Sequence, residues 1–392
     1  MKYLFLLYII LNPIFFLVDC DQRMSQEVFF QLSGVLIFAS SLFVKQKEIK
    51  FSKLHLWLGI MMVAFVGAWL KSMNGWWKIG LNYMLGLLVY LSFIKTMDKD
   101  DIKFLFKGVA WVGIAGLIYM ALQYLGIDLR GTVNEGRSDR IDPYSFFFQN
   151  SAMGLYFAQI IPIVASINIY LAPLLFLPVI ISKCAGAIVG GTIAYLFYLW
   201  FRKRILFWIC LVPVLIGGLI FGFTKENLEG FKIRLPMWKE VFQDITRNPL
   251  GQGLDSFYNG KIRYFQDIHS KKVYRSFREG NEYKYYDTAD SNIMQELKEQ
   301  KINLHFIDHP HNEYLWFGYE VGIHSWVIFG FIFYYAYDRF RKSRREPLTC
   351  ATMGFLIAIA VFSTTQFYLH LARIGHLLPI IAGCFYITTE ED

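Results

Sequence analysis

Along this chain, long apolar runs alternate with short polar links, and the runs recur at the length of a membrane-crossing helix. They cover residues 3–19, 28–44, 54–71, 76–94, 104–126, 147–168, 169–182, 184–201, 205–223, 314–336, 348–369 and 373–387. A block of about 17–25 mostly apolar residues can cross a hydrocarbon core of roughly 30 Å as a helix, which satisfies its own backbone hydrogen bonds where water is absent. The pattern predicts an all-α polytopic membrane protein with about 12 transmembrane helices and one large external loop over residues 224–313, the whole forming one domain. The seventh and eighth runs are short and meet at Ser182–Lys183. They predict a tight helical hairpin, and a single long helix in its place would reverse everything after it.

Charge fixes the orientation. Lys45, Lys47, Lys50 and Lys53 follow the second run, and Lys95, Lys99 and Lys103 follow the fourth. Arg202, Lys203 and Arg204 follow the eighth, and Arg339, Arg341, Lys342, Arg344 and Arg345 follow the tenth. Lys and Arg in short links stay on the cytoplasmic side, so both termini are expected there. Residues 127–146, the Ser182–Lys183 turn and the 224–313 loop then lie together outside. A net charge of +8 would suggest nucleic acid in a soluble domain, but here the basic residues sit in these links, and no nucleic-acid partner is expected.

With 55% hydrophobic and only 18% charged residues, a water-soluble fold is excluded. The five cysteines, Cys20, Cys184, Cys210, Cys350 and Cys384, form no CxxC pair and read as packing residues. Met1–Val18 has the charge and apolar run of a signal peptide. Asp19, Cys20 and Asp21 make no small-residue cleavage site, so the segment reads as a retained first span.

A loop of about 90 residues exceeds a plain connector and is expected to carry function. Met237, Trp238, Val241, Phe242 and Ile245 form an apolar stripe, with Pro236 at a first helical position and an end before Asn248-Pro249. The Pro249-Leu-Gly-Gln-Gly253 turn follows, then a basic and aromatic stretch from Lys261 to Tyr286 that is polar enough to line a wet cavity.

Each candidate for chemistry has two readings. His309 and His311 flank Pro310 where the loop re-enters the membrane, and a histidine there is a general base near neutral pH or a backbone hydrogen-bonding residue. The pair has no acidic or cysteine partner at metal-ligand spacing, so no metal and no cofactor are expected. Arg234 just before the loop helix, and Arg137 and Arg140 in the other external link, are anion ligands or headgroup anchors. Lys183 interrupts two apolar runs, so it snorkels or has a partner. Glu320, two turns inside the tenth run with Gly322 and His324 further along, is paired, protonated or facing a cavity. Gly251 and Gly253 could offer amides to a phosphate, although the turn reading has more weight.

Taken in order, Arg234-Leu-Pro-Met-Trp238, Asn248-Pro-Leu-Gly-Gln-Gly253, His311-Asn-Glu-Tyr-Leu315 and Glu320-Val-Gly322 resemble the O-antigen ligase and O-antigen polymerase family. The resemblance covers about residues 130–335. It departs at the hairpin tip, where the family's Ser-Arg-Gly appears as Ser182-Lys-Cys-Ala-Gly186, with alanine at the arginine position.

The resemblance implies a C-type glycosyltransferase-like fold in the bacterial inner membrane. It also implies metal-independent, inverting transfer of a glycan from an undecaprenyl-pyrophosphate carrier to an acceptor hydroxyl. His311 and Asn312 would be the catalytic pair. Arg234, Arg137, Arg140 and Lys183 would hold the pyrophosphate, with Trp238, Gly251, Gly253, His309, Glu320 and Gly322 in support. Ligation to lipid A core comes first, and polymerisation of repeat units is the alternative. From another class, a transporter or flippase of lipid-linked oligosaccharide would need polar residues along the inner spans, and most runs here are nearly free of charge.

Overall fold

A computed structural model describes residues 1–14, 22–72, 77–127, 145–147, 150–222, 225–254, 256–259, 262–267, 273–279, 282–286, 304–307, 310–344, 346–365 and 375–390. The apolar runs become helices α1 (Lys2–Ile14), α2 (Gln22–Ser41), α3 (Lys53–Lys71), α4 (Trp77–Thr96), α5 (Lys99–Tyr124) and α6 (Asn150–Ile167). They continue as α7 (Phe176–Ile181), α8 (Ala185–Arg202) and α9 (Arg204–Gly222). Of the described helices, α3, α5 and α8 are long and apolar enough to cross a membrane, and several others are shorter apolar helices. The seventh run is irregular. A 3₁₀ turn, Ala172–Leu175, leads into the six-residue α7. At rises of about 2.0 and 1.5 Å per residue the two pieces extend roughly 17 Å, about half a hydrocarbon core.

The rest of the chain contains α10 (Lys225–Arg247), α11 (Ser256–Asn259), α12 (Glu313–Glu320), α13 (His324–Ser343), α14 (Pro347–Phe362) and α15 (Leu377–Thr389). The tenth run is therefore not one helix. Gly322, at φ +118°, breaks it, so Glu320 ends a short helix and His324 opens the next.

Helices α6, α8 and α14 pack as a central trio. Small residues let them approach: a Cβ on Gly190 would lie 3.0 Å from the Ala358 carbonyl, and one on Gly191 would lie 3.0 Å from the Ala158 Cβ. Phe106, Phe157, Phe355 and Phe362 fill the surrounding core, each at most 1% exposed.

Contacts gather the four basic links at one end. The Lys47 amide donates to the Lys95 carbonyl at 2.9 Å, and Lys47 Nζ donates to the Met97 carbonyl at 2.8 Å. Lys2 pairs with Asp101 at 3.6 Å. Arg339 donates to Thr389 at 3.0 Å, and Tyr386 donates to the Lys50 carbonyl at 2.9 Å. Phe201, beside Arg202, packs edge-on against Phe340 with ring centres 5.1 Å apart. Lys2 and Thr389 sit here as well. Helix polarity then sends Lys71, Ser182 and the start of α12 to the opposite end.

The long loop belongs to that opposite end and is not wholly helical. Strands β1 (Ile262–Asp267), β2 (Val273–Glu279), β3 (Glu282–Tyr286) and β4 (Leu304–Ile307) make an antiparallel sheet in the order β3-β2-β1-β4. Tyr264 stands opposite Phe-flanked Ile307 in the β1–β4 register. Ile262, Tyr264 and Ile307 are buried against Met237, Val241, Ile245, Phe257, Trp316 and Tyr319. Tyr264 also donates to the buried Asp244 carboxylate at 2.5 Å. The basic and aromatic stretch thus forms strands docked on α10 and α12. A second correction concerns Pro236. It lies in the middle of α10 rather than at its start. An interior proline costs about 3 kcal/mol or more, but burying Met237, Val241 and Ile245 contributes about 1.5–3 kcal/mol each, so packing decides.

Candidate functional site

The site forms where three chain segments meet the last turn of α14. A helix leaves its final carbonyls without internal partners, and those of α14 continue through Ser363, Thr364 and Thr365. Each takes a donor from a different position. The Glu313 amide donates to Ser363 at 2.8 Å, the Asn312 side chain donates to Thr364 at 2.9 Å, and Arg234 Nη1 donates to Thr365 at 3.3 Å.

Asn312 is the N-cap of α12. Its Oδ1 accepts from the Leu315 amide at 3.0 Å, so both ends of the side-chain amide are engaged by backbone. His311, immediately before it, takes φ +48°, a left-handed conformation that costs a non-glycine residue roughly 1–2 kcal/mol. Trp238 holds this corner from α10, its indole N–H donating to the Pro310 carbonyl at 2.7 Å. His311 is half-buried, and the next two residues, Asn312 and Glu313, tie this corner to the end of α14.

Arg234 is half-buried one turn earlier on α10 than Trp238. Burial pulls its guanidinium below the usual arginine range, and the nearby Cys184 thiol pushes in the opposite direction. The group stays charged, because arginine titrates far above neutral pH. Of its five N–H donors, one is engaged by Thr365 among the described residues.

Cys184 belongs to the hairpin tip between α7 and α8. Ser182 closes the tip, donating to the Val179 carbonyl at 2.6 Å and accepting from the Cys184 amide at 3.2 Å. Gly154 faces Ser182, and Gly186 lies so close to Thr365 and Phe362 that a Cβ there would overlap the Thr365 hydroxyl. Lys183 is exposed at the apex with φ +51° and has no acidic partner among the described residues. The tip is thus locked against α6 and α14 with its lysine outward.

The glycine turn has a different task. Gly251 (φ +76°) and Gly253 (φ +102°) pack on the α12–α13 break, where a Cβ on Gly251 would lie 2.5 Å from the Glu320 carbonyl. Their amides already bond protein: Gly251 to the Asn248 carbonyl at 2.9 Å and Gly253 to the Glu320 carbonyl at 2.9 Å. They therefore hold helices rather than cradle a phosphate. Glu320 is fully buried, and its Oε1 accepts from the Phe257 amide at 3.4 Å.

The structure brings together Arg234, Trp238, His311, Asn312 and the tip with Lys183. Gly251, Gly253, Glu320 and Gly322 lie at the other end of α12, where the glycine turn meets the α12–α13 break. Arg137, Arg140 and His309 lie outside the described residues. The turn Ser363–Thr365 was not singled out from the sequence. Its three consecutive hydroxyl residues inside the apolar run 348–369 were the available signal. Asp244 was missed too, since an acid on an amphipathic helix ordinarily reads as solvated.

No protein-family model matches this chain, and no curated protein matches it.

Proposed function

We propose that this protein transfers a glycan from an undecaprenyl-pyrophosphate carrier to an acceptor hydroxyl at the outer face of the bacterial inner membrane. The basic end would be cytoplasmic, and about twelve helical segments in a C-type glycosyltransferase-like bundle would carry the site outward. The observation that carries the reading is the convergence of Arg234, the His311–Asn312 corner and the Ser182–Gly186 tip on the end of α14, opposite the basic links.

His311 accepts the proton of the acceptor hydroxyl as its oxygen attacks the anomeric carbon. The bond from that carbon to the phosphate oxygen breaks on the far face, which inverts the configuration. Arg234, with donors left after Thr365, receives the negative charge that develops on the departing pyrophosphate. Lys183, and Arg137 and Arg140 from the other external segment, add cations for a leaving group with at least two charges. Asn312 and Trp238 hold the corner.

The acceptor proposed first is lipid A core, which makes the enzyme an O-antigen ligase. Glycan profiling of a deletion strain tests it. Loss of all polymer on lipid A core supports ligase, whereas survival of a single capped repeat makes the enzyme a polymerase.

A further inference from the structure

Lys71 stands at the C-terminus of α3, on the end of the molecule away from the basic links. It therefore lies outside the four basic links that gather at the other end. Its ammonium donates to the Gly251 carbonyl. Around this contact the end of α3 grips the glycine turn along its length: the Leu254 amide donates to the Ala68 carbonyl at 3.1 Å, and a Cβ on Gly253 would lie 3.0 Å from the Ser72 nitrogen.

The turn in turn grips the break after α12. Gln252 and Gly253 donate to the Tyr319 and Glu320 carbonyls at 2.8 and 2.9 Å, and Ile323 donates back to Pro249 at 2.9 Å. Helix α12 is only eight residues long, and its other end is capped by Asn312 next to His311. We infer that Lys71 is a positioning residue of the site, holding α12, and so His311 and Asn312, through the 249–253 turn.

Lysine suits the place. The Gly251 carbonyl and the last carbonyls of α3 present partial negative charge to the same space, and a cation at a helix C-terminus relieves both. The side chain is itself exposed, so removing its charge empties no core site. Leu254, at 1% exposure, and the backbone bonds keep the turn folded. What is lost is the clamp.

The kinetic part of this inference rests on the glycosyl-transfer reading, and the exchange part does not. The full-length protein in lipid nanodiscs is compared with Lys71→Met and Lys71→Arg by amide hydrogen exchange and by donor-dependent turnover. In Lys71→Met, amides of 251–254, 321–323 and the first turn of α12 exchange on the order of tenfold faster, as the loss of one charge-assisted bond requires. The turnover number falls while the donor KM holds, and Lys71→Arg restores both. Unchanged exchange across these amides overturns the inference. So does a raised donor KM with turnover kept, which would make Lys71 a substrate contact. If the wild-type protein transfers no glycan, the exchange result still decides whether Lys71 holds α12, and only the catalytic reading falls.

Discussion

Asn312 and Thr364 tie two helix ends together. The Asn312 amide donates to the Thr364 carbonyl at 2.9 Å while its oxygen accepts from Leu315 at 3.0 Å, so one side chain closes the start of α12 and the end of α14. Because both ends of the amide are engaged, Asn312 fixes the distance between His311 and the α14 turn on which Arg234 also rests.

Asn312→Ala should lower stability by about 1–2 kcal/mol, the range for a lost N-cap. Asn312→Asp keeps the acceptor for Leu315 but sets a carboxylate against the Thr364 carbonyl. Thermal unfolding in detergent should therefore rank wild type, then aspartate, then alanine, with turnover falling in both variants. An alanine variant as stable and active as wild type would show that the two helix ends do not need this bridge.

Arg234→Lys separates shape from charge. The lysine keeps the positive charge and the helix, but it loses the planar fork that reaches Thr365 and that, in the proposed reaction, would grip two phosphate oxygens together. Expression and unfolding temperature should hold while kcat/KM for a pyrophosphate-linked donor falls about 10- to 100-fold. Near-normal turnover would reduce Arg234 to a headgroup anchor.

Much of the scaffold was legible because a bilayer demands long apolar helices. The expected 54–71, 184–201 and 205–223 became Lys53–Lys71, Ala185–Arg202 and Arg204–Gly222. Elements fixed by tertiary contact were not legible. The break at Gly322 follows from the Pro249–Gly253 turn docking there, a contact between segments about 70 positions apart. In the loop, Ile262 and Tyr264 carry the period of two that marks a strand face, but Arg263 between them and Phe265 after them masked it. At the site, Arg234, Trp238, His311 and Asn312 were readable as residue types in order. Their common anchor, the carbonyls of Ser363–Thr365, is backbone and leaves little trace in side-chain identity.

Crowding rather than backbone conformation should govern the glycine turn. Gly126 and Gly251 have φ of +80° and +76°, but a Cβ on Gly126 meets nothing within 4 Å whereas one on Gly251 meets the Glu320 carbonyl and the Val321–Gly322 peptide. Both alanine variants carry the left-handed cost of about 1–2 kcal/mol. Gly251→Ala should be destabilised well beyond Gly126→Ala in thermal unfolding and should lose turnover. Equal effects would mean that the turn is not tightly held on α12.

Orientation is tested at the two ends. In a cysteine-free background, Lys183→Cys should react with an impermeant thiol reagent from the outer face, and Lys342→Cys only after the inner membrane is opened. Reaction of Lys342→Cys first would invert the bundle and place the candidate site in the cytoplasm.

The central claim is that the His311 corner performs glycan transfer. Its most direct test is turnover of a purified, lipid-reconstituted protein with an undecaprenyl-pyrophosphate-linked glycan and an acceptor, measured for wild type and His311→Ala in parallel. General-base catalysis typically contributes about 10²–10⁴ in rate. The wild type should transfer the glycan, and His311→Ala, folded and inserted, should lose at least about 100-fold in turnover. A His311→Ala protein that transfers at near the wild-type rate would contradict the assignment.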